Sequence, residues 1–351
     1  MPEDALIPLA ELDHEELLIR RGTRSGCYTI VAVHSTTLGP ALGGCRMWRY
    51  ESSAEGARDA LRLARGMTFK SAAAGIPLGG GKGVICAPPG GPPVGDVRRK
   101  ALLDFADTVE ALDGRYVTAE DVGVSVEDLA MIKRVTDHVA GLSAQQGGSG
   151  DPSPVTALGV AAAIHACCEL RFGTRDMKGR SVSIVGVGRV GSELARLLAD
   201  AGARLVLSDV NQSRAELVHQ LPDATFTDPA SGLVADVDVL APCALGGAID
   251  EYSIGTIRCQ VVCGAANNQL AHDGLAEDLL VRDILYGPDF IANAGGIINI
   301  AEELRGYDKE RAYARVRDIE RTMAQVLERA QTDGTTTLAA ANALARARLA
   351  A

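Results

Sequence analysis

The stretch Arg180-Ser-Val-Ser-Ile-Val-Gly186-Val-Gly188-Arg-Val-Gly191-Ser-Glu-Leu-Ala-Arg-Leu-Leu-Ala constrains the fold more than any other part of the chain. An apolar run of strand character meets a glycine-spaced turn and passes directly into a helix-like run. A second apolar run, Arg204-Leu-Val-Leu-Ser-Asp209, ends on an acid 23 residues beyond Gly186. Strand, turn, helix and acid-ended strand in this order specify a βαβ unit of a parallel sheet. In such a unit Gly186 makes the tight turn. Gly188 would let a pyrophosphate approach the backbone, and Gly191 would let helix and strand pack closely. The helix N-terminus offers unpaired N–H groups to phosphates. Asp209 would bond a ribose 2′-hydroxyl and repel a 2′-phosphate, which favours NAD over NADP; the nearby Arg214 weighs against that preference. Short apolar runs at 237–243, 260–266 and 284–289 extend the sheet.

A second unusual stretch lies upstream. Gly66-Met-Thr-Phe-Lys70-Ser-Ala-Ala-Ala-Gly-Ile-Pro-Leu-Gly-Gly-Gly81-Lys82 places two lysines among small apolar residues and glycines. Lys70 falls near the end of a helical pattern over about 54–74. Gly79 to Gly81 are expected to turn the backbone tightly beside a ligand. Lys82 then leads into a strand at Val84-Ile85-Cys86-Ala87. A lysine in such a setting suits base chemistry or anion holding, because desolvation disfavours the ammonium. A phosphate-binding P-loop is excluded. Its first glycine position holds Ile76, and Gly83 follows the lysine where Ser or Thr is needed.

The rest of the 351 residues suggests two domains. Strands are expected at 28–35, 42–48 and 114–121, with a helix near 96–112 and a helix start capped by Ser125 with Asp128. Residues 143–154 hold Gly, Ser and Pro and no large apolar residue, and mark a hinge. A formal net charge of -10 argues against nucleic acid or an anionic membrane as partner. The N-terminus lacks a signal-peptide pattern, and no segment reads as membrane-spanning, so the cytoplasm is the expected location. The eight cysteines lack paired spacing and the six histidines do not cluster with them. Buried free thiols are expected, and no metal site.

Several motifs, taken together and in order, resemble the Glu/Leu/Phe/Val amino acid dehydrogenases, most closely the leucine, valine and phenylalanine branch. They are Gly66-Met-Thr-Phe-Lys70, Pro77-Leu-Gly-Gly-Gly-Lys82, Thr118-Ala-Glu-Asp121, Asp151-Pro-Ser-Pro-Val-Thr156, Ala241-Pro-Cys-Ala-Leu-Gly-Gly247, Gly264-Ala-Ala-Asn267-Asn268 and Asn293-Ala-Gly-Gly296. The resemblance covers roughly 28–350. It implies an α/β fold of two domains: a catalytic and substrate domain over 1–142, and a Rossmann NAD-binding domain over 155–324. C-terminal helices from about 325 to 351 would return to the first domain, with a deep cleft that closes about the hinge. The implied reaction is reversible NAD-dependent oxidative deamination of an L-amino acid to a 2-oxo acid, ammonia and NADH, in a homo-oligomer.

The same resemblance implies roles. Lys70 would pair with the substrate carboxylate, and Lys82 would activate the water that attacks the imine carbon. Asp121 would move protons to and from the substrate nitrogen. Gly43 and Gly44 would let substrate lie against the main chain. Asn267 would hold substrate and the nicotinamide ribose, and Thr156 the nicotinamide carboxamide. Glu120 departs from the family pattern: it either points away or raises the pKa of Asp121. Leu42, Met67, Ala119, Ile297 and Ile300 would surround the substrate side chain. These residues are apolar, which disfavours glutamate; the bulk of Ile297 favours valine, leucine or isoleucine, with phenylalanine or tryptophan as the alternative. A non-catalytic NAD-binding sensor or scaffold is a rival reading that needs no lysine pair. A hydroxyacid dehydrogenase is disfavoured, because no histidine lies in the catalytic motifs.

Overall fold

The computed structural model describes residues 12–351. The chain divides into two compact units, and the division crosses the backbone more than once. One unit takes the chain up to Gly150 together with Ile300–Tyr307 and Arg348–Ala351; the other takes Asp151–Asn299 and Asp308–Ala347.

The first unit runs β1 (Glu16–Arg21), β2 (Tyr28–Ser35), β3 (Ala41–Trp48), α1 (Ser53–Ala74), β4 (Gly79–Cys86), α2 (Gly95–Glu110), β5 (Tyr116–Glu120) and α3 (Val126–Ile132). Its five strands lie in the order β1-β2-β4-β3-β5. The β1–β2 and β2–β4 pairs are antiparallel, and β3 pairs parallel with both β4 and β5. Alternation along the strands feeds two cores. Ile30, Ala32 and Val84 meet Ala57, Ala60, Leu61 and Ala64 of α1. Val31, Val33 and Ile85 meet Leu102, Phe105 and Val109 of α2 on the other face. The Ser52 hydroxyl accepts from Glu55 N to start α1, and Gly75, at φ 65°, ends it. The expected Ser125–Asp128 capping box forms at the head of α3.

One expectation is corrected here. Gly79 to Gly81 do not turn; they are the first residues of β4, so Lys82 lies inside the strand rather than before it. The reason is crowding. A Cβ on Gly80 would stand 2.0 Å from Thr68 N of α1, and one on Gly81 2.6 Å from the Tyr116 ring. The glycines let a helix lie directly on the strand.

The second unit begins with α4 (Ser153–Phe172) and continues through β6 (Ser181–Val185), α5 (Arg189–Asp200), β7 (Arg204–Ser208), β8 (Ala224–Thr227), α6 (Pro229–Leu233), β9 (Val239–Pro242), β10 (Val261–Val262), α7 (Leu275–Val281), β11 (Leu285–Tyr286) and α8 (Asp289–Ala292). Next come α9 (Gly295–Glu303), which spans the unit division, then α10 (Lys309–Arg317), α11 (Ile319–Asp333) and α12 (Thr337–Leu349). Its six strands are ordered β11-β10-β9-β6-β7-β8, all parallel. This is the doubly wound order, with the switch point between β6 and β9. The helices expected to return to the first unit from about residue 325 group with the second instead, through residue 347, because α10 and α11 pack on α4. Only Arg348–Ala351 joins the first unit; there Arg348 donates to the last carbonyls of α1, Ala72 O and Ala73 O. A further correction concerns α4. It is long and apolar enough to cross a membrane, but most of it is buried inside the fold, as befits a core helix.

Candidate active site

The sheet order of the first unit determines which side chains meet. Lys82 is two residues from Gly80, so its side chain leaves β4 on the face that carries α1. Asp121 follows directly on β5, and β3 lies between the two strands. The Lys82 ammonium, 6% exposed as a residue, donates to Asp121 Oδ2 at 2.7 Å. Burial alone would raise the Asp121 carboxyl. The Lys82 charge and hydrogen bond, with Arg46 beyond them, outweigh burial and hold Asp121 below the usual carboxylate range. So a second carboxylate at Glu120 does not leave Asp121 raised.

Lys70 is half-buried in the last turns of α1. Leu42 is buried on β3, and Met67 is half-buried on α1. Ala119 on β5 and Ile300 on α9 both lie near Gly141, with Leu129 beside them. Gly43 and Gly44 have a reason of their own: a Cβ on Gly43 would stand 1.8 Å from Gly81 O, and one on Gly44 2.4 Å from Glu120 O. Strand packing alone demands glycine at both positions.

In the second unit the glycine turn follows β6 at the switch point. Gly186 takes φ 101°, the left-handed region that favours glycine, and faces Ala244 after β9. A Cβ on Gly191 would stand 2.0 Å from Gly186 O, whereas one on Gly188 would meet nothing within 4 Å. Gly188 is also the N-cap of α5, and no side chain caps that helix. Open space in front of uncapped helix N–H groups fits a pyrophosphate. Asp209 closes the turn, its Oδ2 accepting from Val187 N and its Oδ1 from Asn211 N, both at 2.9 Å. Thr156 lies in the first turn of α4, its hydroxyl donating to Pro152 O at 2.9 Å. Asn267 is exposed in the loop after β10, and Ile297 is buried on α9.

Three features escape a reading of the sequence. Arg46 donates Nε–H to Asp121 Oδ2 at 3.0 Å. Asn293 donates Nδ2–H to Asn267 Oδ1 at 2.9 Å and to Ala265 O at 3.2 Å, which orients the Asn267 amide. Glu303 on α9 accepts from Gly141 N at 2.8 Å and Ser149 N at 2.7 Å, tying the two ends of the loop that leads out of the unit. Of these, only Asn293 lies in a motif that draws attention.

Comparisons with known proteins agree along nearly the whole chain. Residues 16–138 match the family segment described as Glu/Leu/Phe/Val dehydrogenase, dimerisation domain. Residues 205–351 match Glutamate/Leucine/Phenylalanine/Valine dehydrogenase. The chain is 43% identical to a leucine dehydrogenase of Bacillus subtilis (strain 168), covering 97% of this chain and 93% of that one. It is 42% identical to a valine dehydrogenase of Streptomyces virginiae, covering 96% and 94%. The crystal structure of L-tryptophan dehydrogenase from Nostoc punctiforme superposes with a TM-score of 0.86 at 37% identity, covering 97% of both chains.

Proposed function

The chain belongs to the Glu/Leu/Phe/Val dehydrogenase family, and on that premise we propose that it oxidatively deaminates an apolar L-amino acid, branched-chain ones preferred, with NAD. It is an amino acid dehydrogenase, and its leucine-, valine- and tryptophan-named relatives support an apolar substrate. The family's enzymes are nicotinamide-nucleotide dehydrogenases; the carboxylate of Asp209 beside the Gly186–Gly191 turn supports NAD as the nucleotide. The observation that carries the chemistry is the Lys82–Asp121 pair, 2.7 Å apart across the intervening β3, beneath the helix that bears Lys70.

The bound nicotinamide supplies the hydride acceptor for the substrate Cα–H. Lys70 holds the substrate carboxylate as a point cation. The oxidised substrate is an imine, and Lys82 takes a proton from the water that adds to its carbon. Asp121 takes a proton from the substrate ammonium before the hydride leaves and returns it to the nitrogen of the water adduct, so that ammonia leaves and the 2-oxo acid remains. Leu42, Met67, Ala119, Ile297 and Ile300 receive the apolar side chain. Their lack of charge supports rejection of glutamate. The same reading extends to a cytoplasmic homo-oligomer, in keeping with the dimerisation description of the first family segment.

The test is NADH formation across the common L-amino acids at alkaline pH, with NAD and NADP compared. Turnover should be fastest with valine, leucine or isoleucine and should favour NAD. Lys82→Ala should lower kcat by about 10²–10⁴, while Lys70→Ser should act chiefly through KM for the amino acid. No turnover with any amino acid sinks the reading, and full activity in Lys82→Ala sinks the mechanism.

A further inference from the structure

Lys82 shares Asp121 with a second cation. The Arg46 guanidinium, from β3, donates Nε–H to Oδ2, the oxygen that also accepts from Lys82. Its Nη1 donates to Asp59 Oδ2 of α1 at 2.9 Å. Asp59 is fixed in turn by the Tyr50 hydroxyl at 2.7 Å and by Arg62 Nη2 at 2.8 Å. The bonds form one line, from Tyr50 and Arg62 through Asp59 and Arg46 to Asp121 and Lys82. Its inner members are mostly shielded, the Arg46, Asp59 and Asp121 side chains being 23%, 16% and 24% exposed.

The two cations on Asp121 differ in kind. An ammonium gives up a proton within the reach of enzyme chemistry; a guanidinium does not. To take a proton from water, Lys82 must be uncharged at that moment, and its pull on Asp121 is then gone. Arg46 keeps its charge throughout. We propose that Arg46 is a positioning residue for the reaction, holding Asp121 ionised and in place while Lys82 is neutral, from an anchor at Asp59. This rests on the roles given above to Lys82 and Asp121.

The other groups around Asp121 do not supply this charge. Cys45 of β3 and Tyr116 of β5 are driven up by burial and stay neutral. Arg98 is engaged with Asp128. Glu120, next in the chain, is a carboxylate and would oppose ionisation of its neighbour.

Arg46→Gln and Arg46→Met remove the charge, and Arg46→Lys keeps one. Loss of a neighbouring cation raises a carboxyl pKa. The Asp121 carboxyl, followed by ¹³C NMR, should therefore titrate higher by about one to two units in the neutral variants than in the parent. Arg46→Lys should recover most of that shift. A merely structural role would lower the rate and leave that titration unmoved, and superimposable Asp121 titrations in neutral variants and parent overturn the proposal. A second measurement is independent of how those variants fold. In Lys82→Met, which mimics the uncharged lysine, the Asp121 carboxyl can be followed by ¹³C NMR, assigned against Asp121→Asn. It should stay ionised throughout the neutral range, and protonation there overturns the proposal. Absence of any amino acid turnover in the parent enzyme would sink the functional reading, yet leave this titration to be read by itself.

Discussion

A Cβ placed on Gly80 would stand 2.0 Å from Thr68 N, whereas a Cβ placed on Gly188 would meet nothing within 4 Å. Both glycines sit in runs that a sequence reader takes for ligand loops. In β4 the glycines are extended strand, and their missing side chains make room for protein. Thr68 of α1 fills the space at Gly80, and the rings of Tyr116 and Phe105 fill it at Gly81 and Gly83. In the turn after β6, Gly186 is needed for its φ of 101° and Gly191 for its contact with Gly186 O. Only Gly188 leaves its space empty, at an uncapped helix N-terminus. The first run thus supports Lys82 by bringing α1 close to the sheet, and the second leaves backbone bare beside an uncapped helix N-terminus. A glycine-rich run by itself does not say which purpose it serves.

The largest expected effect comes from Gly80→Ala. The added methyl meets backbone, which has no rotamer to adopt, so α1 must lift from β4. Destabilisation of at least about 3 kcal/mol is expected in chemical denaturation. A variant within about 1 kcal/mol of the parent would mean that the strand does not need its glycine. Gly188→Ala should separate the two runs. Its stability should stay within about 1 kcal/mol of the parent, since an N-cap glycine is replaced without a clash. Its affinity for NAD, read by calorimetric titration, should fall about tenfold, or 1.4 kcal/mol. Unchanged NAD affinity would break the assignment of that open space to the cofactor.

The same contrast explains what could be read in advance. Strand, turn and helix around Gly186 are local, so β6, α5 and β7 are legible from spacing alone. Lys82 and Asp121 are 39 positions apart, and a family resemblance was needed to couple them. Arg46, Asp59 and Tyr50 carry no motif of their own. They look like ordinary polar residues of a strand, a helix and the turn between them, and gain meaning only once β3 lies between β4 and β5. The strand β1 carries no motif that announces it, and the start of β4 at Gly79 is hidden because glycine disfavours strands on propensity and is tolerated here by packing. The grouping of residues 308–347 with the second unit depends on the surface of α4, which α10 and α11 cover. Nothing in the amphipathic pattern of those helices names their partner.

The smallest effect has the opposite sign and comes from within the first run. Gly66 opens the motif that ends at Lys70, and it invites the reading that it too is required. It lies inside α1, is exposed, and a Cβ there would meet nothing within 4 Å. Its backbone is helical, so alanine fits without strain and restricts the unfolded chain more than glycine does. Gly66→Ala should therefore stabilise the protein by about 0.5–1 kcal/mol in chemical denaturation. KM for the amino acid should be unchanged if the residue has no part in binding. A raised KM with raised stability would show that Gly66 resembles Gly188, kept bare for a ligand, rather than Gly80. Reduced stability would show that it is packed against something that a Cβ cannot share.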